Sequence, residues 1–146
     1  MRIKKLHEKA VVPHYATEGS AGLDLTVISD NDTIVIPYNS TMLCRTGLSF
    51  EIPKGYVGLV YIRSSVGAKL DLVLSNQVGV IDSDYRGEVM LPLRNLGRSA
   101  RVIDSGTRIA QMVITPILSS NIEIVDELTE TKRGNGGFGS TNKKGE

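Results

Sequence analysis

Short apolar segments interrupted by turn residues constrain the fold of this chain more than any other feature. Residues 48–52 alternate apolar and polar side chains and end at Pro53-Lys54-Gly55, a turn signal. Further strands are predicted at residues 33–36, 55–62, 88–93, 108–115 and 121–125. Turn residues separate these segments at intervals of roughly 8–12 residues, which is typical of a β-sandwich or barrel. The sequence therefore predicts an all-β domain.

Two local features modify this pattern. Residues 64–70 are predicted to form one short helix of about two turns, with Ser64 or Ser65 as its N-cap. Pro92 has no backbone N–H to donate, so its strand is predicted to lie at a sheet edge or to be bulged.

Composition limits the size and class of the protein. The chain has 146 residues, enough for one domain with a core, and a formal charge of +1, so no global basic field attracts nucleic acid. No apolar segment approaches the roughly 18 residues that a membrane-spanning helix needs. Cys44 is the only cysteine, which excludes an internal disulfide and favours a reducing, cytoplasmic setting. Because Cys44 lies in an alternating segment, we expect a buried apolar side chain and not a nucleophile.

The C-terminal segment differs from the rest of the chain. From Thr129 onward apolar residues are rare, and five of the 15 glycines fall within residues 134–146. We therefore expect a β domain at residues 1–128 and a flexible, glycine-rich arm at residues 129–146. Composition alone favours a disordered tail. However, Arg133, Phe138 and hydroxyl side chains between glycines also fit a strap that closes over a ligand.

Residues 79–88 carry more charged and aromatic side chains than a turn needs. Asp82, Asp84, Tyr85 and Arg86 are packed between apolar runs. A carboxylate held there on stiff strands could activate a water molecule, and the tyrosine could stack on a ring. The spacing resembles the opening of a calcium loop, but the fifth and twelfth positions lack the acceptor ligands that calcium requires.

Three other segments place polar side chains where a ligand could use them. Arg63-Ser64-Ser65 combines a guanidinium, two hydroxyls and the N–H groups of a helix start, which suits an anion, although a simple helix cap fits equally. Asp24 stands in an apolar run, where structural pairing explains it as well as function does. Gln111 stands in an apolar strand and either bonds a loop or faces a ligand, because a buried amide needs partners.

Five segments, taken in this order, resemble the trimeric dUTPase family. They are residues 21–25, 63–65, 76–87, 108–111 and 133–141. Each motif alone is moderately specific, and the five in this order are much more so. Together they extend over nearly the whole chain. One departure is Ser65, which stands where many members of the family have glycine.

The resemblance implies a jelly-roll-like, β-clip subunit that assembles as a homotrimer with active sites shared between chains. It implies hydrolysis of dUTP to dUMP and pyrophosphate with Mg²⁺, which keeps uracil out of DNA and supplies dUMP for thymidylate synthesis. Asp82 would be the general base whose activated water attacks the α-phosphorus. Tyr85 would stack on the deoxyribose and leave no room for a 2′-hydroxyl. No direct metal ligand is expected, and Asp24 could act on the metal through water.

The same resemblance implies which residues bind the substrate. A hairpin pocket would hold the uracil and read its edge through Asn76, Gly79, Val80, Ile81 and Met90. Arg63, Ser64, Ser65 and Gln111 would hold the phosphates. The arm would contribute Arg133, Ser140 and Thr141 to the distal phosphates, and Phe138 with Gly139 over the uracil. We expect no membrane or nucleic-acid partner.

Two alternative functions remain open. The related dCTP deaminases share the fold and parts of the motifs. Tyr85 and the strap from Arg133 to Thr141 argue against that activity. A nucleotide-sensing or protein-binding module would keep the fold without turnover, although intact Asp82, Arg133 and Phe138 argue against it.

Overall fold

The computed structural model describes residues 1–138. This part of the chain forms eleven β-strands and one α-helix. In chain order they are β1 (Arg2–Lys5), β2 (Leu23–Thr26), β3 (Thr33–Ile36), β4 (Thr41–Arg45), β5 (Leu48–Glu51), β6 (Tyr56–Ile62), α1 (Ser64–Leu70), β7 (Leu72–Leu74), β8 (Gly79–Ile81), β9 (Met90–Asn95), β10 (Arg101–Asp104) and β11 (Arg108–Pro116).

The strands pair antiparallel in two sheets and two ribbons. A four-stranded sheet has the order β2-β11-β6-β8, and a three-stranded sheet has the order β4-β9-β7. The two-stranded ribbons are β1 with β5 and β3 with β10. One core joins them, with Met112, Leu91, Phe50 and Ile36 each no more than 1% exposed. The prediction of an all-β subunit with one short helix is confirmed.

The alternation of apolar residues predicts most strands correctly but fails at residues 121–125. β5, β6, β9 and β11 match the predicted segments closely, whereas no strand forms at 121–125, so that prediction is wrong. Ile122 and Ile124 there are 95% and 97% exposed. A strand needs a hydrogen-bonded neighbour, and within residues 1–138 none pairs with this segment.

Pro92 lies in β9, the central strand of its sheet, so the prediction of an edge or bulged strand is wrong. It pairs with Leu43 of β4, while the ladder between β9 and β7 ends at Leu93 and Leu74. Just past that end, the Pro92 carbonyl accepts a hydrogen bond of 2.8 Å from the N–H of Ser75. The N and C=O of one residue face the same side of an antiparallel strand. The only ladder bond that the proline cannot make is therefore the reciprocal one at the end of the ladder, from its own nitrogen to Ser75.

The helix α1 has the predicted bounds but a different cap. Arg63 is the N-cap and makes no side-chain capping bond, so the assignment of Ser64 or Ser65 as the cap is wrong. The Arg63 carbonyl accepts the N–H groups of Val66 and Gly67 at 3.0 and 3.1 Å. Ser64 and Ser65 are both exposed in the first turn of the helix. None of the helical structure in residues 1–138 has the length and apolar character needed to cross a bilayer.

Cys44 on β4 behaves as the sequence predicts. Its side chain is 3% exposed, and burial raises the pKa of the thiol from 9.0 to about 11. The thiol therefore stays protonated near neutral pH, which confirms a buried apolar role and excludes a thiolate nucleophile at that pH.

The chain leaves the packed body at Ile117. The Ile117 N–H donates to the Gly55 carbonyl at 2.9 Å. Four large apolar side chains beyond it are 87–98% exposed: Leu118, Ile122, Ile124 and Leu128. Residues 118–128, which we call the apolar tail, thus present an uncovered row of aliphatic groups.

Candidate functional site

Residues 82–89, which we call the site loop, connect β8 to β9. These two strands belong to different sheets, so the site loop is a crossing between sheets and not the tip of a paired hairpin. The expected hairpin pocket is instead a cavity of about 180 Å³. It is lined by five of the predicted site residues, Val80, Ile81, Asp82, Tyr85 and Met90, together with Glu88 and Val89. We call it the loop cavity.

Tyr85 is held in a fixed position within the site loop. Its backbone N–H donates to the Asp82 carbonyl at 3.2 Å, and its hydroxyl donates to the Glu88 carbonyl at 3.0 Å. The ring lies against Gly87, where any Cβ would overlap the phenol. A glycine at this position is therefore required for the ring to fold back over the loop.

Asp82 lines the loop cavity. It also lines a second, more open cavity of about 720 Å³ that includes Asp84 and Arg86. Within residues 1–138, no protein group donates a hydrogen bond to the Asp82 carboxylate. The carboxylate is exposed and remains available to water or a ligand.

Asn76 and Gly79 lie at the turn that leads into β8. Asn76 is exposed, and its carbonyl accepts the N–H of Val78 at 2.7 Å. Gly79 packs closely on β6, because a Cβ there would lie 3.1 Å from the Val60 Cβ. The Asn76 amide nitrogen lies 3.8 Å from the same Cβ position, so the turn brings this side chain next to the backbone of β8.

A second group of predicted residues forms around Asp24, which is 19% exposed. One Asp24 carboxylate oxygen lies 3.2 Å from Arg63 Nε, and the other accepts a hydrogen bond of 3.0 Å from an Arg108 terminal nitrogen. We call these three residues the arginine cluster. The carboxylate fixes the direction of both guanidinium groups, and a terminal nitrogen of Arg63 also donates to the Arg108 carbonyl at 3.3 Å.

Gln111 joins this cluster through the sheet. It lies directly opposite Asp24 across the β2–β11 pair, and such pairs share one face of a sheet. Its amide oxygen would be 2.8 Å from a Cβ at Gly22, so the glycine makes room for the amide. Ser64 and Ser65 are the next two residues after Arg63, and both are exposed.

The two groups lie at different ends of β6. Ile81, just before Asp82, pairs with Gly58 near the start of the strand, whereas Arg63 directly follows its last residue. The five residue steps from Gly58 to Arg63 span about 17 Å in a strand. One chain therefore does not bring Asp82 and Arg63 together.

Among residues 1–138, the hydrogen bonds of the arm stay within the arm itself. Arg133 Nε donates to the Gly136 carbonyl at 2.9 Å, and the Thr131 hydroxyl accepts the Gly134 N–H at 3.1 Å. Phe138 is fully exposed with a positive φ of 47°. The predicted binding residues Gly139, Ser140 and Thr141 lie outside the described residues.

Comparison with known proteins resolves the family. A family model described as dUTPase matches residues 8–142. This chain belongs to the dUTPase family. It is 43% identical to the deoxyuridine 5′-triphosphate nucleotidohydrolase of Hydrogenobaculum sp., over 97% of both chains. It is 47% identical to the enzyme of the same name from Pseudomonas paraeruginosa, over 88% of this chain and 85% of the other.

Solved structures of the family agree in fold. A variant of the Staphylococcus bacteriophage 80alpha dUTPase with dUpNHpp superposes with a TM-score of 0.87 at 27% identity, covering 96% of each chain. A further structure of that dUTPase with dUPNHPP has a TM-score of 0.87 at 28% identity, over 95% of this chain and 96% of the other. The predicted subunit fold is therefore confirmed.

Sequence reasoning assigned no role to three residues that contact the dUTPase motifs. Arg108 bonds Asp24, and Glu88 lines the loop cavity while its carboxylate bonds Arg45. Arg108 lies within the segment 108–111 and Glu88 directly follows the segment 76–87, so both positions carry a usable signal. Arg45 carries no such signal, because its position follows from pairing opposite Met90 across β4 and β9.

Proposed function

We propose that this chain hydrolyses dUTP to dUMP and pyrophosphate in a homotrimer whose active sites combine residues of different chains. The observation that carries the proposal is the loop cavity lined by Asp82 and Tyr85, in a chain of the dUTPase family. The relatives named deoxyuridine 5′-triphosphate nucleotidohydrolases, and the neighbour bound to dUpNHpp, support the same substrate.

The loop cavity would receive the nucleoside. Backbone groups of Val80, Ile81 and Met90, with Gly79 and the Asn76 amide, would pair with the uracil edge. Backbone lying close to C5 of the uracil would leave no space for a 5-methyl group, which would exclude thymine. Cytosine would leave polar groups of the site unpaired, a strong basis for rejection. Tyr85 would stack on the deoxyribose and exclude a 2′-hydroxyl.

Asp82 would activate the attacking water. Its carboxylate is exposed and receives no protein hydrogen bond within residues 1–138, so a water molecule can take that place. The water proton would pass to the carboxylate as the water oxygen bonds to the α-phosphorus. Pyrophosphate would then leave, and dUMP would retain the new oxygen.

The arginine cluster would bind the phosphates. Asp24 supports this role because it orients the Arg63 guanidinium at 3.2 Å and so lowers the entropy lost when a phosphate binds. Ser64, Ser65 and Gln111 would add neutral donors. From the arm at residues 129–146, Arg133, Ser140 and Thr141 would reach the distal phosphates, and Phe138 with Gly139 would cover the uracil.

Magnesium would be held chiefly by phosphate oxygens and water. Residues 1–138 bring together no group of three or more His, Cys, Asp or Glu side chains that could cage a metal, and Mg²⁺ often keeps several waters beside substrate phosphates. The ion would neutralise phosphate charge. Asp24 oxygens already accept two arginine bonds, yet a carboxylate has further lone pairs for a contact through water.

Two observations support assembly from several chains. Within one chain, a length of strand of about 17 Å, from Gly58 to Arg63, separates the loop cavity from the arginine cluster. The apolar tail is 87–98% exposed at Leu118, Ile122, Ile124 and Leu128, an arrangement that suits cover by a neighbouring copy. A trimer that sets one chain's arginine cluster against the loop cavity of the next would complete each site.

The cellular role follows from the reaction. Removal of dUTP would keep uracil out of DNA, and the dUMP formed would supply thymidylate synthesis. A cytoplasmic location is supported by the single, buried Cys44, since no disulfide is needed.

The test is pyrophosphate release measured with dUTP, dCTP, dTTP and UTP in the presence of magnesium. We expect release from dUTP well above the other three. Ammonia release from dCTP would identify a deaminase instead. Tight dUTP binding without pyrophosphate would identify a binding module.

A further inference from the structure

Glu88 ties the site loop to the turn between β4 and β5. Its carboxylate accepts hydrogen bonds from Arg45 Nε at 3.2 and 3.3 Å, and from the backbone N–H of Gly47 at 2.7 Å. The Glu88 side chain is only 18% exposed. A mostly buried carboxylate that accepts the Arg45 Nε–H through both oxygens and the Gly47 N–H is an anchor of defined geometry and not a mobile surface charge.

The anchored residue also holds the tyrosine of the site loop. The Glu88 backbone carbonyl accepts the Tyr85 hydroxyl at 3.0 Å, and the ring lies against Gly87. The position of the phenol is thus defined by residues 87 and 88. Whatever fixes Glu88 also fixes the ring.

The turn that receives Glu88 is closely packed on the body of the domain. Gly47 has a positive φ of 68°, and a Cβ there would lie 2.6 Å from the Ile28 side chain and 2.9 Å from that of Ala10. Arg45 lies opposite Met90 in the β4–β9 pair, so its backbone belongs to a sheet. The anchor therefore connects the tyrosine to the body of the domain.

We propose that Glu88 is a positioning residue that sets the preference for deoxyribose over ribose by fixing Tyr85. This inference rests on the proposed function, because it assumes that the ring contacts the sugar. Without the carboxylate, residues 87 and 88 gain freedom and the ring can move away from the sugar. The space that excludes a 2′-hydroxyl would then open.

Glu88 acts on binding and selectivity more than on the chemical step. Its carboxylate points to Arg45 and Gly47 and makes no hydrogen bond with Asp82. Loss of a contact to the sugar that is made in both ground and transition states raises KM with little change in kcat. A purely structural role would lower stability and leave the ratio of kcat/KM for dUTP and UTP unchanged.

The experiment compares Glu88→Ala and Glu88→Gln with the wild type. We expect the kcat/KM ratio for dUTP over UTP to fall roughly tenfold in Glu88→Ala, the order of effect of losing a charge-assisted bond. Glu88→Gln keeps an acceptor for the Gly47 N–H, so its kcat/KM ratio should lie between those of the wild type and Glu88→Ala. It also provides the test if the alanine variant folds poorly.

The matched control is Asp71→Asn. Asp71 forms an ion pair of 2.6 Å with Arg101, and neither residue lines the loop cavity or the second cavity at Asp82. This variant should alter the unfolding temperature without altering the dUTP-to-UTP ratio. If the wild type turns over dUTP and the ratio is unchanged in both Glu88 variants, the inference is overturned and the proposed function stands. Absence of dUTP turnover in the wild type would overturn the proposed function and the inference with it.

Discussion

Arg63 and Asp82 occupy opposite ends of the same strand pair. Arg63 follows the end of β6, whereas Asp82 follows Ile81, which pairs with Gly58 near the start of β6. Both residues belong to motifs of one reaction, yet roughly 17 Å of strand separates them. Sharing of sites between chains would reconcile their proposed roles with this separation.

Complementation tests that sharing. Arg63→Ala and Asp82→Asn should each be inactive alone. Unfolded together in equal amounts and refolded, they should regain pyrophosphate release, because about a quarter of the sites would combine an intact Arg63 with an intact Asp82. A mixture as inactive as its components would contradict shared sites, as would a sedimentation mass near the 15.8 kDa of one chain.

Loss of the proposed base should affect rate and spare binding. We expect Asp82→Asn to lower kcat by roughly 10²–10⁴-fold, the usual contribution of a positioned base. Affinity for a non-hydrolysable dUTP analogue should change little, as titration calorimetry would measure. Asp84→Asn is the matched control, since Asp84 is an exposed carboxylate two residues away. Near-normal kcat in Asp82→Asn would remove that residue from the role.

Removal of the arm should abolish activity without unfolding the domain. Within residues 1–138, the hydrogen bonds of residues 133–138 go only to residues 131–136, so deletion of residues 133–146 removes no described hydrogen bond to residues 1–117. The unfolding temperature should therefore stay unchanged while dUTP turnover is lost. Deletion of residues 143–146 alone, beyond the family match, should retain turnover. A much lower unfolding temperature in the longer deletion would show that the arm is structural.

Cys44 predicts a stability loss at alkaline pH. Burial raises the pKa of the folded thiol from 9.0 to about 11, so the folded state holds this proton more tightly than the unfolded state. The stabilisation is complete below pH 9 and is lost as pH rises toward 11. Denaturant titrations should show wild type losing up to about 3 kcal/mol more than Cys44→Ala across this window. Parallel losses in the two proteins would contradict the assignment.

The sequence predicts those parts of the fold that depend on local pattern. Alternation identifies β5 and β6, and turn residues mark their ends. Residues 121–125 show the same alternation, but pairing depends on a neighbour that residues 1–138 do not offer. Pro92 is misassigned for a related reason, because its single lost bond falls at the end of a ladder that only the tertiary pairing reveals.

The motifs predict where the loop cavity lies, but not how it is held. Val80, Ile81, Asp82, Tyr85 and Met90 do line one cavity. The bonds that fix the loop come from β4 and its turn, about 40 residues earlier in the chain. Similarly, local sequence leaves the role of Asp24 open, and only the strand register brings it between two arginines.

The most direct measurement follows the oxygen of the attacking water. The protein would turn over dUTP with magnesium in water enriched in heavy oxygen, and mass spectrometry would locate the label in the products. Attack at the α-phosphorus predicts one heavy oxygen in dUMP and none in pyrophosphate. Label in pyrophosphate would contradict the proposed point of attack, and absence of any dUTP turnover would contradict the proposed function.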